Sequence, residues 1–210
     1  MIAAIPETPH YLIGLDLGQA HDYTAWVVVR RSGEDDAACY DVVHVDRVRG
    51  ARYPAVVEHT RALVDALRAG EPQSQVDLVV DYTGVGRAVA DLLLDAGLAT
   101  HSETLVTITG GDAVGRGERA EWRVPKRDLA SVVQVLLQSE RLRIAEGLVL
   151  ARTLTEELTN FRVKITLSGH DAYGPGADWR EGNHDDLVLA LALAGWWGER
   201  VGRGSQVFII

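Results

Sequence analysis

Three groups of carboxylates lie in apolar segments of this chain, where a charged side chain is costly. Asp16 lies within the apolar run Leu12–Leu17, and Asp81 ends a second apolar run. Asp185 and Asp186 open a long apolar helix. Carboxylates that converge in such surroundings repel each other unless a cation holds them. Their oxygens select Mg²⁺ or Mn²⁺, and a site with two such ions suits phosphodiester hydrolysis.

Asp16 and Asp81 each have an alternative explanation that requires no metal. Asp16 would need none if it faced solvent on an edge strand. Asp81 precedes Gly84 and Gly86, and a strand followed by closely spaced glycines and a helix is typical of a dinucleotide-binding turn. That turn needs a third glycine where this chain has Val89. We therefore predict that both acids bind metal and that the glycines let the chain turn tightly into the next helix.

The two acids at 185 and 186 stand where the helix dipole and free N–H groups favour acidic residues even without a metal. Capping of the helix requires only one of them. Successive helical side chains project about 100° apart, so the two cannot face one ion equally. We predict that Asp185 is a catalytic metal ligand and that Asp186 is a supporting or alternative ligand.

The overall composition is that of a globular protein with one hydrophobic core. The chain has 210 residues, of which 47% are apolar and 24% charged, and a single core commonly extends over this length. A lone cysteine rules out an internal disulfide and fits a reducing cytoplasm. We expect no membrane partner, because no apolar run is long enough to span a bilayer and the N-terminus lacks a signal-peptide pattern.

The distribution of charge bears on nucleic-acid binding. A net charge of −9 opposes binding to phosphates, which requires local positive potential. Clustered basic residues can supply that potential, and the candidate DNA contacts are Arg116, Arg119, Arg123, Lys126 and Arg127. A second basic group consists of Arg47, Arg49 and Arg52. The alternative is that both groups are solvated surface balanced by neighbouring acids.

Hydrophobic periodicity and turn residues predict one α/β domain with a mixed sheet. An antiparallel three-strand meander and a helix are predicted at 11–17, 24–31, 38–48 and 55–69. A βαβ unit, which adds parallel strands, is predicted at 76–81, 87–96 and 104–109. The remaining predictions are a glycine-rich loop at 110–125, helices at 126–139 and 148–160, strands at 142–145 and 163–167, a second loop at 168–183 and a helix from His184.

This order of elements resembles the RNase H-like fold, in which the first acid lies on the first strand, the second on the fourth and the last on a late helix. Asp16, Asp81 and the pair at 185 and 186 occupy those places. Within that superfamily the chain resembles the nuclease domain of the phage large terminase subunit, a DNA-packaging motor protein. The resemblance rests on the segments Gly14–Gly18 with Asp22–Ala25, Asp81–Gly86, Val124–Lys126 and His184–Ala190.

The resemblance implies a metal-dependent endonuclease that cleaves double-stranded DNA in the cytoplasm of a phage's host cell. It implies that two Mg²⁺ or Mn²⁺ ions are held by Asp16, Asp81, Asp185 and Asp186. It also implies an ATPase motor domain and a capsid portal as partners. The chain lacks the Walker A pattern of that ATPase, so we expect an isolated nuclease domain or a stand-alone relative and predict no DNA translocation.

Two alternative functions stay open on the sequence. The same fold could serve a Holliday-junction resolvase or a ribonuclease, and Gly84 and Gly86 could belong to a nucleotide-binding module. For the leading hypothesis we expect the nuclease domain to span residues 10–200, between an N-terminal tail at 1–9 and a C-terminal tail at 201–210.

Overall fold

An eight-stranded mixed sheet organises the chain, with the strand order β6-β7-β5-β4-β1-β2-β3-β8. The structure is a computed structural model that describes residues 8–18, 22–84, 86–118, 120–161 and 185–201. Its strands are β1 His10–Asp16, β2 Tyr23–Ser32, β3 Cys39–Arg49, β4 Gln75–Asp81, β5 Ser102–Thr109, β6 Gly115–Arg116, β7 Glu121–Pro125 and β8 Leu142–Ile144. Its helices are α1 Tyr53–Gly70, α2 Gly86–Asp95, α3 Lys126–Gln138, α4 Ala151–Asn160 and α5 Asp186–Val201.

The pairing of the strands places β1 at the centre of the sheet. Strands β1, β2 and β3 pair antiparallel in sequence order, as the predicted meander requires. On the other side of β1, strands β4, β5 and β7 add in parallel. This arrangement confirms the predicted mixed sheet, with its meander and its βαβ unit. Because β1 is paired on both edges, Asp16 does not lie on an edge strand, and that alternative explanation was wrong.

Helices cover both faces of the sheet, which explains why β1 and β4 are nearly continuous apolar runs. Helices α1 and α2 pack on one face against Ile13 and Leu15. Helix α5 packs on the other face against Leu12, and it is buried almost all round because α3 and α4 lie against it. Among the described residues no helix is both long and apolar enough to cross a membrane.

Two glycines fix the position and direction of α5 on β1. A Cβ on Gly14 would lie 1.8 Å from the carbonyl oxygen of Ala190, so only a glycine permits this close approach of strand and helix. A Cβ on Gly198 would lie 2.6 Å from Leu12 Cδ1. Helix α5 therefore runs antiparallel to β1, and its N-terminus lies near the strand end that carries Asp16.

The sequence-based prediction was wrong in two places. The segment at 110–125 is not a loop throughout, because β6 and β7 form a short hairpin in it and β7 pairs with β5. The buried Val124 and Pro125 of β7 close the apolar core at this end of the sheet. Helix α4 begins at Ala151 rather than at 148, since the Leu148 N–H bonds to the carbonyl of Ala145 in a tight turn. The strand at 163–167, the loop at 168–183 and His184 lie outside the described residues.

Candidate active site

Asp16 and Asp81, the two candidate ligands on strands, lie together at the edge of the sheet formed by the carboxyl ends of its parallel strands. Strands β1 and β4 are parallel neighbours, with Leu15 opposite Val80, and each strand ends at the next residue with an aspartate. The carboxyl ends of parallel strands lie at the same edge, so Asp16 and Asp81 are brought together. Asp16 is only 7% exposed.

The start of α5 adds two further carboxylates to this edge. The carbonyl of Asp185 accepts the N–H of Leu189 at 2.9 Å, so Asp185 precedes the first turn and Asp186 lies within it. Burial raises the pKa of Asp16 well above its usual range, and the negative charges of Asp81, Asp186 and Asp185 raise it further, as does a hydrogen bond with Asp81. The four carboxylates therefore form one repelling group around Asp16, and a cation among them would relieve that repulsion.

A tight turn after β4 fixes the orientation of Asp81. The N–H of Thr83 donates to Asp81 Oδ1 at 2.8 Å, and the Thr83 hydroxyl accepts the N–H of Ile108 at 2.9 Å. Gly84 follows with a φ of 62°, a left-handed conformation that favours glycine. The turn thus ties Asp81 to the neighbouring strand β5, and Gly84 serves the turn as the sequence predicts.

Lys126 lies inside the acidic site rather than on the outer surface. Its ammonium is 3.1 Å from Asp185 Oδ2, and it lies 5.5 Å from the centre of the Phe161 ring. The residue is 9% exposed, and it is the first residue of α3, directly after Pro125. A buried lysine requires a partner of opposite charge, which Asp185 supplies.

The other predicted DNA contacts lie farther out. Arg116 and Arg123 are exposed on the β6–β7 hairpin, where Arg116 stacks 5.0 Å from the centre of the Trp122 ring. Arg127 is held by Asp112, at 2.9 Å, and by Asp128, at 3.5 Å. Arg119 lies outside the described residues. The role of these side chains in DNA binding stays a prediction.

Glu157 and Arg47 belong to the surroundings of the site, and sequence reasoning missed both roles. Glu157 Oε2 accepts the backbone N–H of Leu187 at 3.0 Å, which caps α5 from another helix. Glu157 Oε1 accepts from Arg47 Nη1 at 2.9 Å. A signal was present, since Glu157 follows Leu154 by three positions and so lies on the apolar face of α4.

The environment of Glu157 opposes its ionisation. Burial is the main cause that raises its pKa to about 7, and the negative charge of Asp186 adds to that effect. Arg47 and the backbone N–H groups of Leu187 and Val188 act in the opposite direction. The charge state of Glu157 is therefore coupled to that of the acidic site.

A comparison with known protein families identifies the family to which this domain belongs. The profile of the family described as "Terminase RNaseH-like domain" matches residues 13–195, a range that contains all four carboxylates. The chain belongs to this family. The predicted relationship to terminase nuclease domains and the predicted RNase H-like fold are thereby confirmed.

Solved structures of terminase nuclease domains share this fold at low sequence identity. The human cytomegalovirus terminase nuclease domain, soaked with Mn and inhibitor-bound, is 12% identical, with a TM-score of 0.58 over 92% of this chain and 84% of that one. The large terminase nuclease domain of phage P22 is 13% identical, with a TM-score of 0.52 over 95% of this chain and 89% of that one. The corresponding domain of bacteriophage SPP1, with bound Mn, is 12% identical, with a TM-score of 0.52 over 92% and 89%. No curated protein matches this terminase domain significantly in sequence.

Proposed function

We propose that this terminase RNase H-like domain is an endonuclease that cleaves double-stranded DNA with two Mg²⁺ or Mn²⁺ ions. The observation that carries the proposal is the convergence of Asp81, Asp185 and Asp186 on the buried Asp16, whose pKa they raise. Carboxylates gathered in this way at a cost in repulsion are typical of a site that binds divalent cations.

The donor set fits hard divalent ions. Every candidate ligand is a carboxylate oxygen, the donor that Mg²⁺ and Mn²⁺ prefer. The related domain of bacteriophage SPP1 is described with bound Mn. When bound, such ions lower the pKa of a coordinated water and stabilise the charge that develops on the leaving oxygen of a phosphodiester.

The carboxylates and Lys126 are proposed to have different roles at this site. Asp16 and Asp81 stand on neighbouring strands of the sheet centre, which holds their carboxylates rigidly. Asp185 is engaged by Lys126, and the charge of Asp186 acts more strongly on Asp16 than that of Asp185 does, so we propose Asp186 as the main ligand from the helix. Asp185 forms an ion pair with Lys126, and we propose that the Lys126 ammonium also contacts a phosphate of the bound DNA.

The proposed substrate path extends from the acidic site to the β6–β7 hairpin, where Arg116 and Arg123 are exposed. Arginines at such positions neutralise phosphates without reading sequence, so little sequence preference is expected. As a terminase domain, the chain is proposed to act with an ATPase motor domain and a capsid portal in the cytoplasm of the host cell.

The test is plasmid cleavage in the presence of Mn²⁺. We expect Asp16→Asn and Asp81→Asn to lose at least about 90% of the cleavage rate, because loss of a metal ligand commonly costs tenfold or more. The matched control is Asp65→Asn, which removes an exposed carboxylate on α1 and should cleave like the unaltered chain. Cleavage by Asp16→Asn at more than a tenth of the original rate would exclude the metal assignment.

Substrate class is tested in the same assay. Linear duplex, a four-way junction and an RNA–DNA hybrid are compared at equal concentration. A preference for linear duplex supports the terminase activity, and a preference for the junction or the hybrid would favour a resolvase or a ribonuclease of the same fold.

A further inference from the structure

A second cluster of potential metal ligands lies on the opposite face of the sheet from the four carboxylates. It consists of His44 and Asp46 on β3 and His59 on α1, whose potential ligand atoms all lie within 4.8 Å of one another. His44 pairs with Val28 and Asp46 with Trp26. Both of those β2 residues belong to the core beneath α1, whereas the acidic site is built against α5. The two sites are therefore separated by the sheet.

The carboxylate of this cluster is held by its own backbone. Asp46 Oδ1 accepts the N–H of Arg47 at 2.8 Å, which directs Oδ2 towards the helix. Asp46 Oδ2 lies 3.1 Å from His59 Nε2. Ligands bound at about 2.1 Å to a tetrahedral ion lie about 3.4 Å from each other, so this separation is close to that of two ligands on one ion.

The imidazole of His44 supplies the third donor. Its Nε2 is buried and has no hydrogen-bond partner among the described residues, and a buried nitrogen without a partner is costly. A metal ion would satisfy this nitrogen.

Packing around the cluster orients His59. The ring of Trp26 lies 4.5 Å from the ring of His59, at an interplanar angle of 53°. Trp26 is itself fixed, because its indole N–H donates to the hydroxyl of Thr60 at 3.0 Å, and that hydroxyl donates to the carbonyl of Val56. The histidine is thus held against a rigid apolar wall, as ligands in structural metal sites commonly are.

We infer that His44, Asp46 and His59 form a binding site for a transition-metal ion of the Zn²⁺ class that joins α1 to β3. Two imidazoles and one carboxylate favour such an ion over Mg²⁺, which prefers oxygen donors alone. Three protein ligands leave a fourth position for water. An ion held between a strand and a helix stabilises the folded chain, because the three ligands are not assembled in the unfolded one.

The test is a Zn²⁺ titration of the full chain in competition with a chromophoric chelator. The parent protein carries Asp16→Asn and the buffer contains excess Mg²⁺, so that binding at the acidic carboxylates is suppressed. We expect one Zn²⁺ per chain and a higher melting temperature when it binds. His59→Gln and Asp46→Asn should each weaken binding at least tenfold and abolish the thermal shift.

The matched control is His101→Gln, which removes an exposed imidazole just before β5 and should bind Zn²⁺ like the parent. Circular dichroism without metal shows whether each variant is folded. His59 is 38% and Asp46 39% exposed at the side chain, so both replacements are expected to fold, and either one alone decides the question. The inference is overturned if the parent binds no Zn²⁺, if a folded variant binds as tightly as the parent, or if His101→Gln loses the ion.

Discussion

Glu157 gives the domain a pH dependence of stability that a single substitution should remove. Glu157 is 8% exposed as a residue, and burial together with the charge of Asp186 raises the pKa of its carboxyl to about 7. Glu157→Gln keeps the shape of the side chain and removes its ability to ionise. The perturbation therefore isolates the cost of an ionised carboxylate at this position.

The size and sign of the effect follow from the two pKa values. In the unfolded chain the pKa of a glutamate is 4.5, and in the folded protein that of Glu157 is about 7. Between these values the folded state binds the proton more tightly, so the free energy of unfolding falls as the pH rises. At about 1.4 kcal/mol per pH unit over the 2.5 units from 4.5 to 7, the original chain loses roughly 3 kcal/mol relative to Glu157→Gln.

Urea unfolding in EDTA at pH values from about 4 to 8.5 measures this difference. The free energy of unfolding of Glu157→Gln should rise relative to that of the original chain as the pH rises to about 7, and this gain should stay constant above that pH. The titration of Asp16 is common to both proteins and largely cancels. Added Mn²⁺ should shrink the difference, because a cation beside Asp186 removes part of the repulsion. The matched control, Glu156→Gln, changes a side chain that is 59% exposed and should show no such trend. A stability difference that is constant with pH, or that shifts towards the original chain as the pH rises, would show that Glu157 does not titrate with a raised pKa.

Three further predictions follow from the geometry. Gly14→Ala should lower the free energy of unfolding by about 1–3 kcal/mol or more, because a Cβ there meets the backbone of α5. Gly147→Ala, whose Cβ would meet no atom of the described residues within 4 Å, should change it little in the same urea experiment. Asp186→Asn should weaken Mn²⁺ binding more than Asp185→Asn does, as measured by calorimetry. The reverse order would favour Asp185 as the main metal ligand, as the sequence alone predicts. Cleavage should fall steeply between about 50 and 200 mM salt. Arg123→Ala should make this salt dependence shallower by the amount expected for the loss of about one phosphate contact. An unchanged salt dependence would show that the DNA does not contact Arg123.

The fold could be predicted because its signals are local. The apolar run of β1, the β-branched residues of β2 and the turn residues after it mark the meander without reference to the rest of the chain. The hairpin of β6 and β7 was missed because its strands are short and surrounded by glycine and charge. The pairing of β7 with β5 is a long-range contact that local sequence patterns do not predict.

The site was harder to predict than the fold, because its environment is built from distant parts of the chain. Asp16 and Asp81 stood out as charges in apolar runs. Lys126 reads as a surface residue near other basic residues, yet it lies beside Asp185, which is 59 positions away. Glu157 shows only one unusual feature, a charge on the apolar face of a helix, and that feature does not reveal which helix it caps.

The cluster on the other face of the sheet illustrates the same limit. His44 and Asp46 are two positions apart on one strand, which is a weak signal by itself. Their convergence with His59 depends on how α1 packs on the sheet, and the sequence alone does not predict that packing.

We propose that four carboxylates at the edge of the sheet hold divalent cations for the cleavage of DNA. Calorimetric titration of Mn²⁺ into the original chain, Asp16→Asn and the exposed-site control Asp65→Asn tests it most directly. We expect two bound ions for the original chain and the control, with affinity at least about tenfold weaker for Asp16→Asn. Equal affinity in all three proteins would contradict it.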